Sequence, residues 1–168
     1  GNFVINKATP TVAVTNSPVT YNTAQQAATV VGSVPGTVSN ILYGASSTAP
    51  TNAGTYAVKA DFAPTDSTNF NTLSGAAAGN FVINKASPTL AVNNSPQVYN
   101  GSPRAATVAA ALGVTPVGGT VSNILYGGSG TAPTNAGSYV VTANFAPGDT
   151  TNYNSVTNGA AGSFVINK

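Results

Sequence analysis

The heptapeptide GNFVINK at residues 1–7 recurs letter for letter at residues 79–85 and returns as GSFVINK at residues 162–168. A fixed period means one structural unit copied head to tail. Residues 36–85 match residues 119–168 at 35 of 50 positions without a gap. Each copy is therefore about 80 residues, within the usual ~50 to 200 residues of a domain and just large enough for a modest core. Two small domains in series follow. The expected partition is residues 1–8 as the terminal strand of a preceding repeat, 9–85 as the first repeat and 86–168 as the second.

Gly, Pro, Asn and Thr separate short runs rich in Val and aromatics, which is the pattern of an all-β chain. Strands are expected near residues 11–14, 27–31, 37–43, 55–62 and 80–84, and again near 89–92, 105–110, 120–126, 138–145 and 163–167. The pair TYAVKADF and SYVVTANF is the most informative, because alternate side chains of a half-buried strand face opposite sides of a sheet. Tyr56, Val58, Ala60 and Phe62 recur unchanged as Tyr139, Val141, Ala143 and Phe145, whereas every substitution falls on the other phase. One face is core and one is solvent, which predicts two tandem antiparallel β-sandwiches rather than a parallel sheet covered on both sides. The expected cores are Tyr56, Val58, Phe62, Phe81 and Ile83 in the first copy, with Tyr139, Val141, Phe145, Phe164 and Ile166 in the second. The copies differ in length once, where residues 109–118 replace residues 31–35; this reads as a longer hairpin, tolerated because loop closure entropy grows slowly with length. Between copies lie only Lys85, Ala86, Ser87 and Pro88, so the join is expected to be semi-rigid.

His, Cys, Met, Trp and Glu are all absent, and charged residues make up 5% of the chain. A Ser-His-Asp or Cys-His machine lacks its base, an acid/base glycosidase lacks a close glutamate pair, and a zinc site lacks imidazole and thiolate. The chain is not expected to be an enzyme, nor to carry a cofactor. Its net charge of +2 rests on Lys7, Lys59, Lys85, Arg104 and Lys168, scattered far apart, whereas nucleic acid calls for a clustered patch. No apolar run approaches the ~18 residues of a membrane span, so membrane insertion by this segment is not expected. The chain reads as an excerpt of a longer exported protein whose leader and anchor lie elsewhere.

The ordered set YNG at Tyr99, NILYG at Asn40 and Asn123, APTNAG at Ala49 and Ala132, then G[TS]Y, DxTN[FY]N and FVINK resembles the bacterial repeats called MBG domains, closest to their YGX type and related to YDG repeats. The resemblance spans essentially the whole chain. It implies immunoglobulin-like β-sandwiches strung in arrays on adhesins and other exported bacterial proteins, a stalk role at the cell surface, neighbouring repeats of the same protein as partners, and no catalytic residues. The first copy departs from the pattern at Thr23, where the second has Gly101, which predicts a different turn geometry there.

Four features invite a more specific function. Asp66, Asn69 and Asn71 recur as Asp149, Asn152 and Asn154, a set of hard oxygens of the kind Ca²⁺ accepts; the competing reading is an Asp that caps its own turn while Phe70 or Tyr153 drops into the core. Tyr21, Tyr43, Tyr99 and Tyr126 are the aromatics expected to be exposed as sugar platforms, against the commoner packed tyrosine. Lys59 would have to face inward to form an internal isopeptide bond, and the alternation points it outward. Finally, three FVINK strands serve two units, so Phe3, Val4 and Ile5 form a surplus apolar run suited to pairing between molecules. The leading expectation is a spacer module, with a self-assembling filament subunit and a glycan- or Ca²⁺-binding module as alternatives.

Overall fold

Strands account for all regular structure in the computed structural model, which describes residues 1–168. In chain order the first copy forms β1 (Val12–Val14), β2 (Val19–Thr20), β3 (Val30–Gly32), β4 (Gly36–Tyr43), β5 (Gly54–Pro64) and β6 (Leu73–Asn84). The second forms β7 (Thr89–Val92), β8 (Gln97–Val98), β9 (Val108–Leu112), β10 (Thr115–Pro116), β11 (Gly119–Tyr126), β12 (Gly137–Pro147) and β13 (Val156–Asn167). The chain divides into units Gly1–Asn84 and Lys85–Lys168. In the first, a sheet of order β2-β6-β5-β4 faces the pair β1-β3; in the second, β11-β12-β13-β8 faces β10-β9-β7. Each unit is an immunoglobulin-like two-layer β-sandwich. Pairing is antiparallel except at one edge of each larger sheet, where β2 runs parallel to β6 and β8 parallel to β13.

The alternating strand supplies the centre of each core. Val58, Ala60 and Phe62 are buried with Phe81 and Ile83, and Val141, Ala143 and Phe145 with Phe164 and Ile166. Tyr56 and Tyr139 are half-buried, each donating its hydroxyl to a carbonyl four residues back, Asn52 at 2.8 Å and Asn135 at 2.9 Å. The FVINK strand closes the unit that precedes it: Phe81, Val82 and Ile83 lie opposite Tyr56, Thr55 and Gly54, while Val19 pairs with Ile83 on the other side.

Tyr43 and Tyr126, expected at the surface, are buried. The cause is a bulge: Ser39 lies opposite Asp61 but Leu42 lies opposite Lys59, so two residues, Asn40 and Ile41, face one. A bulge reverses the alternation beyond it. Val38 and Tyr43, five apart, therefore both point inward, and the same shift follows Ser122 in β11. Asn40 and Asn123 carry the left-handed conformation the bulge needs, with φ of 50° and 51°, a region where Asn is enriched. The buried rings meet Phe81 and Phe164 edge to face at 6.2 and 6.1 Å, and their hydroxyls accept from the N–H groups of Ala28 and Ala106 at 2.7 Å.

Residues 1–7 belong to no strand of the two units, in each of which the seated FVINK run is already flanked by paired strands on both sides. The extra residues of the second copy form the β9–β10 hairpin, turning at Gly113 with φ of 58°.

Thr23 and Gly101 do not build different turns. Their φ values are 72° and 80°, and in each the preceding Asn accepts from the N–H two residues on. Glycine adopts this conformation freely, whereas a β-branched residue is strained there. Thr23→Gly is expected to stabilise the first unit by about 1 kcal/mol, and Gly101→Thr to destabilise the second by about 1 to 2 kcal/mol. Chemical denaturation of both variants checks the pair; a Thr23→Gly protein less stable than the parent refutes the strain argument.

Candidate functional site

The recurrent Asp–Asn cluster sits in the turn between the two longest strands of each unit, where the chain also enters that unit. Asp66 Oδ1 accepts from the backbone N–H groups of Thr68 and Asn69 at 3.1 Å, and its Oδ2 from the Asn69 amide at 2.8 Å. Asp149 repeats the arrangement with Thr151 and Asn152 at 3.0, 3.1 and 2.8 Å. Asn71 and Asn154 turn away and donate to Thr9 and Ser87. Both carboxylates are thus engaged by their own turns, and no group of three or more Asp, Glu, His or Cys side chains converges anywhere.

The incoming chain is fastened to the same turn. Ala8 donates to Asn69 O at 2.8 Å and accepts from Asn71 N at 2.9 Å; Ala86 does the same with Asn152 and Asn154 at 2.9 and 2.8 Å. Lys7 Nζ reaches Ser67 O and Lys85 Nζ reaches Thr150 O, both at 2.7 Å. Beside the turns lie open clefts of about 250 Å³, lined by Val34, Pro35 and Phe70 in the first unit and by Lys85, Tyr153 and Asn154 in the second.

The remaining candidates are dispersed. Tyr21 is half-buried against the core and Tyr99 is 49% exposed, so the four tyrosines form no common platform. Lys59 is exposed on the outer face of β5, opposite Leu42 and Ala77. Phe3, Val4 and Ile5 are 89%, 71% and 82% exposed.

Sequence reasoning overlooked the Asn-Ser-Pro motif, although its unchanged recurrence at residues 16–18 and 94–96 was a usable signal. Asn16 bridges Ala27 O and Thr29 N at 2.8 and 2.7 Å, prolonging the β1–β3 pairing with a side chain. Ser17 Oγ accepts from Val82 N at 2.9 Å, and each serine precedes a cis-proline. Asn94 and Ser95 repeat these bonds. The motif therefore fastens one sheet to the other.

A family match spans both units. MBG domain matches residues 10–87 and again residues 88–168. The chain belongs to the MBG domain family. No curated protein matches it.

In both MBG domains the acidic groups serve the fold. The Asn69 side chain, then its backbone N–H, holds the Asp66 carboxyl below its ordinary pKa, and the Asn152 side chain does so for Asp149. Asp61 is lowered chiefly by the Asn40 amide and then by Gly75 N–H, at 2.7 Å. Asn144, its counterpart, accepts from Asn158 N at 2.8 Å without a charge. A carboxyl lowered in the folded state adds stability above its unfolded pKa of about 3.9, and that contribution disappears as pH falls through the folded value. Stability is accordingly expected to be flat from about pH 5 to neutrality and to fall below about pH 4, and Asp61→Asn is expected to reduce that fall in the first domain. Thermal denaturation at pH 7 and pH 2.5 tests this; equal acid losses for parent and variant rule out the Asp61 contribution.

Proposed function

We propose that this chain is a structural repeat module of a bacterial surface or extracellular protein, acting as a semi-rigid spacer that holds another module away from the cell. The observation that carries the reading is the junction. Asn84 O accepts from Tyr21 N at 2.9 Å in the first domain, and Ala86 N donates to Asn152 O at 2.9 Å in the second. Lys85 alone lies between backbone groups fixed in different domains, and its side chain is tied down as well. A flexible tether needs several unanchored residues, and here there are none to spare. The spacer reading is further supported by side chains whose polar groups are spent on turns, bulges and sheet-to-sheet ties.

The test is a distance distribution between spin labels placed one per domain, in the parent and in a variant with six Gly/Ser residues inserted between Asn84 and Lys85. The spacer reading expects a narrow distribution in the parent that broadens on insertion. Equally broad distributions in both would remove it.

A further inference from the structure

We propose that each domain bears tension as a shear clamp, in which the segment entering the domain is fastened in parallel to the strand by which the chain leaves it. In the first domain the chain enters at Ala8, bonded to Asn69 O and Asn71 N, and leaves at Asn84, the far end of β6. Entry and exit thus lie at opposite ends of a strand about 35 Å long. The entering segment meets the departing one in the same order at every contact. Ala8 bridges Phe70, Ser17 Oγ accepts from Val82 N at 2.9 Å, Val19 and Thr20 pair with Ile83 and Asn84, and Tyr21 N donates to Asn84 O at 2.9 Å.

Direction decides what such contacts resist. A pull along the chain draws β2 toward the Phe70 end and β6 toward the Asn84 end. Because the two run parallel, they are driven to slide past each other, and the seam fails only when its bonds give way together. An antiparallel β2, oriented like the other neighbours in its sheet, would place its leading end beside Asn84, and the same pull would open the pair one bond at a time. Parallel pairing is slightly less stable per residue than antiparallel. It nevertheless occurs where the entering chain meets the exit strand or the turn that leads into it: β2 on β6, β8 on β13, Ala8 on Phe70 and Ala86 on Tyr153.

The second domain repeats the seam with different side chains. Ser95 Oγ accepts from Val165 N and Tyr99 N donates to Asn167 O, both at 2.9 Å, although β8 is Gln97-Val98 where β2 is Val19-Thr20. The seam therefore consists of backbone bonds and one recurrent serine, and a change of sequence within the strand leaves it intact. The proposal rests on the spacer reading, since a spacer between a cell and an outer module transmits tension. The two fail separately, because spin-label distances report the junction and pulling forces report the interior of one domain.

The absence of cysteine allows a pulling handle at one chosen point. Single full-length chains are stretched between their two ends, and then between Ala24→Cys, an exposed position just past β2, and the C-terminal end. From residue 24 the seam opens from its Asn84 side, bond by bond, while the second domain is still loaded end to end. Forced unfolding reports the unfolding barrier rather than equilibrium stability. End to end, the two domains are expected to yield at similar forces. In the second geometry the first domain, recognised by its shorter length gain because residues 8–23 leave the loaded path, is expected to yield at less than about half the force of the second. Ser17→Ala is expected to lower one of the two end-to-end events and to leave the short event where it was. A first domain that resists equally in both geometries, or a Ser17→Ala loss equal in both, overturns the proposal.

Discussion

Truncating Phe62 to alanine is expected to remove about 3 to 5 kcal/mol from the first domain and to leave the second domain's unfolding unchanged. Phe62 is almost completely buried, faces Val38 on β4 and Leu73 on β6, and lies over Gly32 and Gly36. It bridges the two layers, so its loss removes packing from both. A domain of this size holds roughly 4 to 12 kcal/mol in total, so the variant loses a large share of its stability. Phe145→Ala is the reciprocal experiment, because each aromatic belongs to a cluster confined to its own domain. Denaturant unfolding followed by residue-resolved hydrogen exchange separates the two. Unaltered protection in the first domain of Phe62→Ala would show that the ring does not hold the layers together.

The parts of the fold legible in the sequence are those where side-chain period and burial agree. β5 and β12 were readable because their alternation is unbroken and the copies differ only on one phase. β4 was readable as a strand but not in its facing, because the bulge at Asn40 and Ile41 inverts the pattern midway and hides Tyr43. β6 was expected from residue 80, but it begins at Leu73; the run Ser-Gly-Ala-Ala-Ala-Gly has poor intrinsic strand preference and is held by its pairing with β5, a tertiary effect that local propensity does not register. β2 and β8 are two residues long and owe their existence to the end of the FVINK strand, which only the folded chain brings alongside. At the candidate site, the recurrence of Asp66 and Asn69 as Asp149 and Asn152 was visible. That the incoming Lys7 or Lys85 fastens to the same turn, some sixty residues away, was not, since no local pattern encodes a side chain bonding to a distant carbonyl.

Two glycines that composition alone would assign to flexible turns sit hard against the backbone of an adjoining strand. A Cβ built on Gly119 falls 2.3 Å from Ala146 O and 2.7 Å from the Phe145 ring, and one on Gly36 falls 2.5 Å from both Ala63 O and the Phe62 ring. Neither has positive φ, so the requirement is for space rather than for conformation. Part of each obstacle is backbone of the adjoining strand, which can yield only by disrupting the β4–β5 or β11–β12 ladder. Gly119→Ala and Gly36→Ala are therefore expected to destabilise their domains by about 3 kcal/mol, the upper end of overpacking costs. Gly118→Ala is the internal control: its Cβ would meet nothing within 4 Å, and its effect should lie within about 0.5 kcal/mol of zero. Gly32→Ala dissects the cause further, because its close neighbours are all atoms of the Phe62 ring. Shortening that ring in a Gly32→Ala/Phe62→Leu protein should cancel most of the Gly32 penalty, giving a coupling of about 1 to 3 kcal/mol. The same Leu in Gly36→Ala should give a smaller rescue, since Ala63 O stays in place. Equal unfolding midpoints for Gly118→Ala and Gly119→Ala would show that β11 can shift away from β12 without loss, and that the close approach of these strands does not constrain the fold.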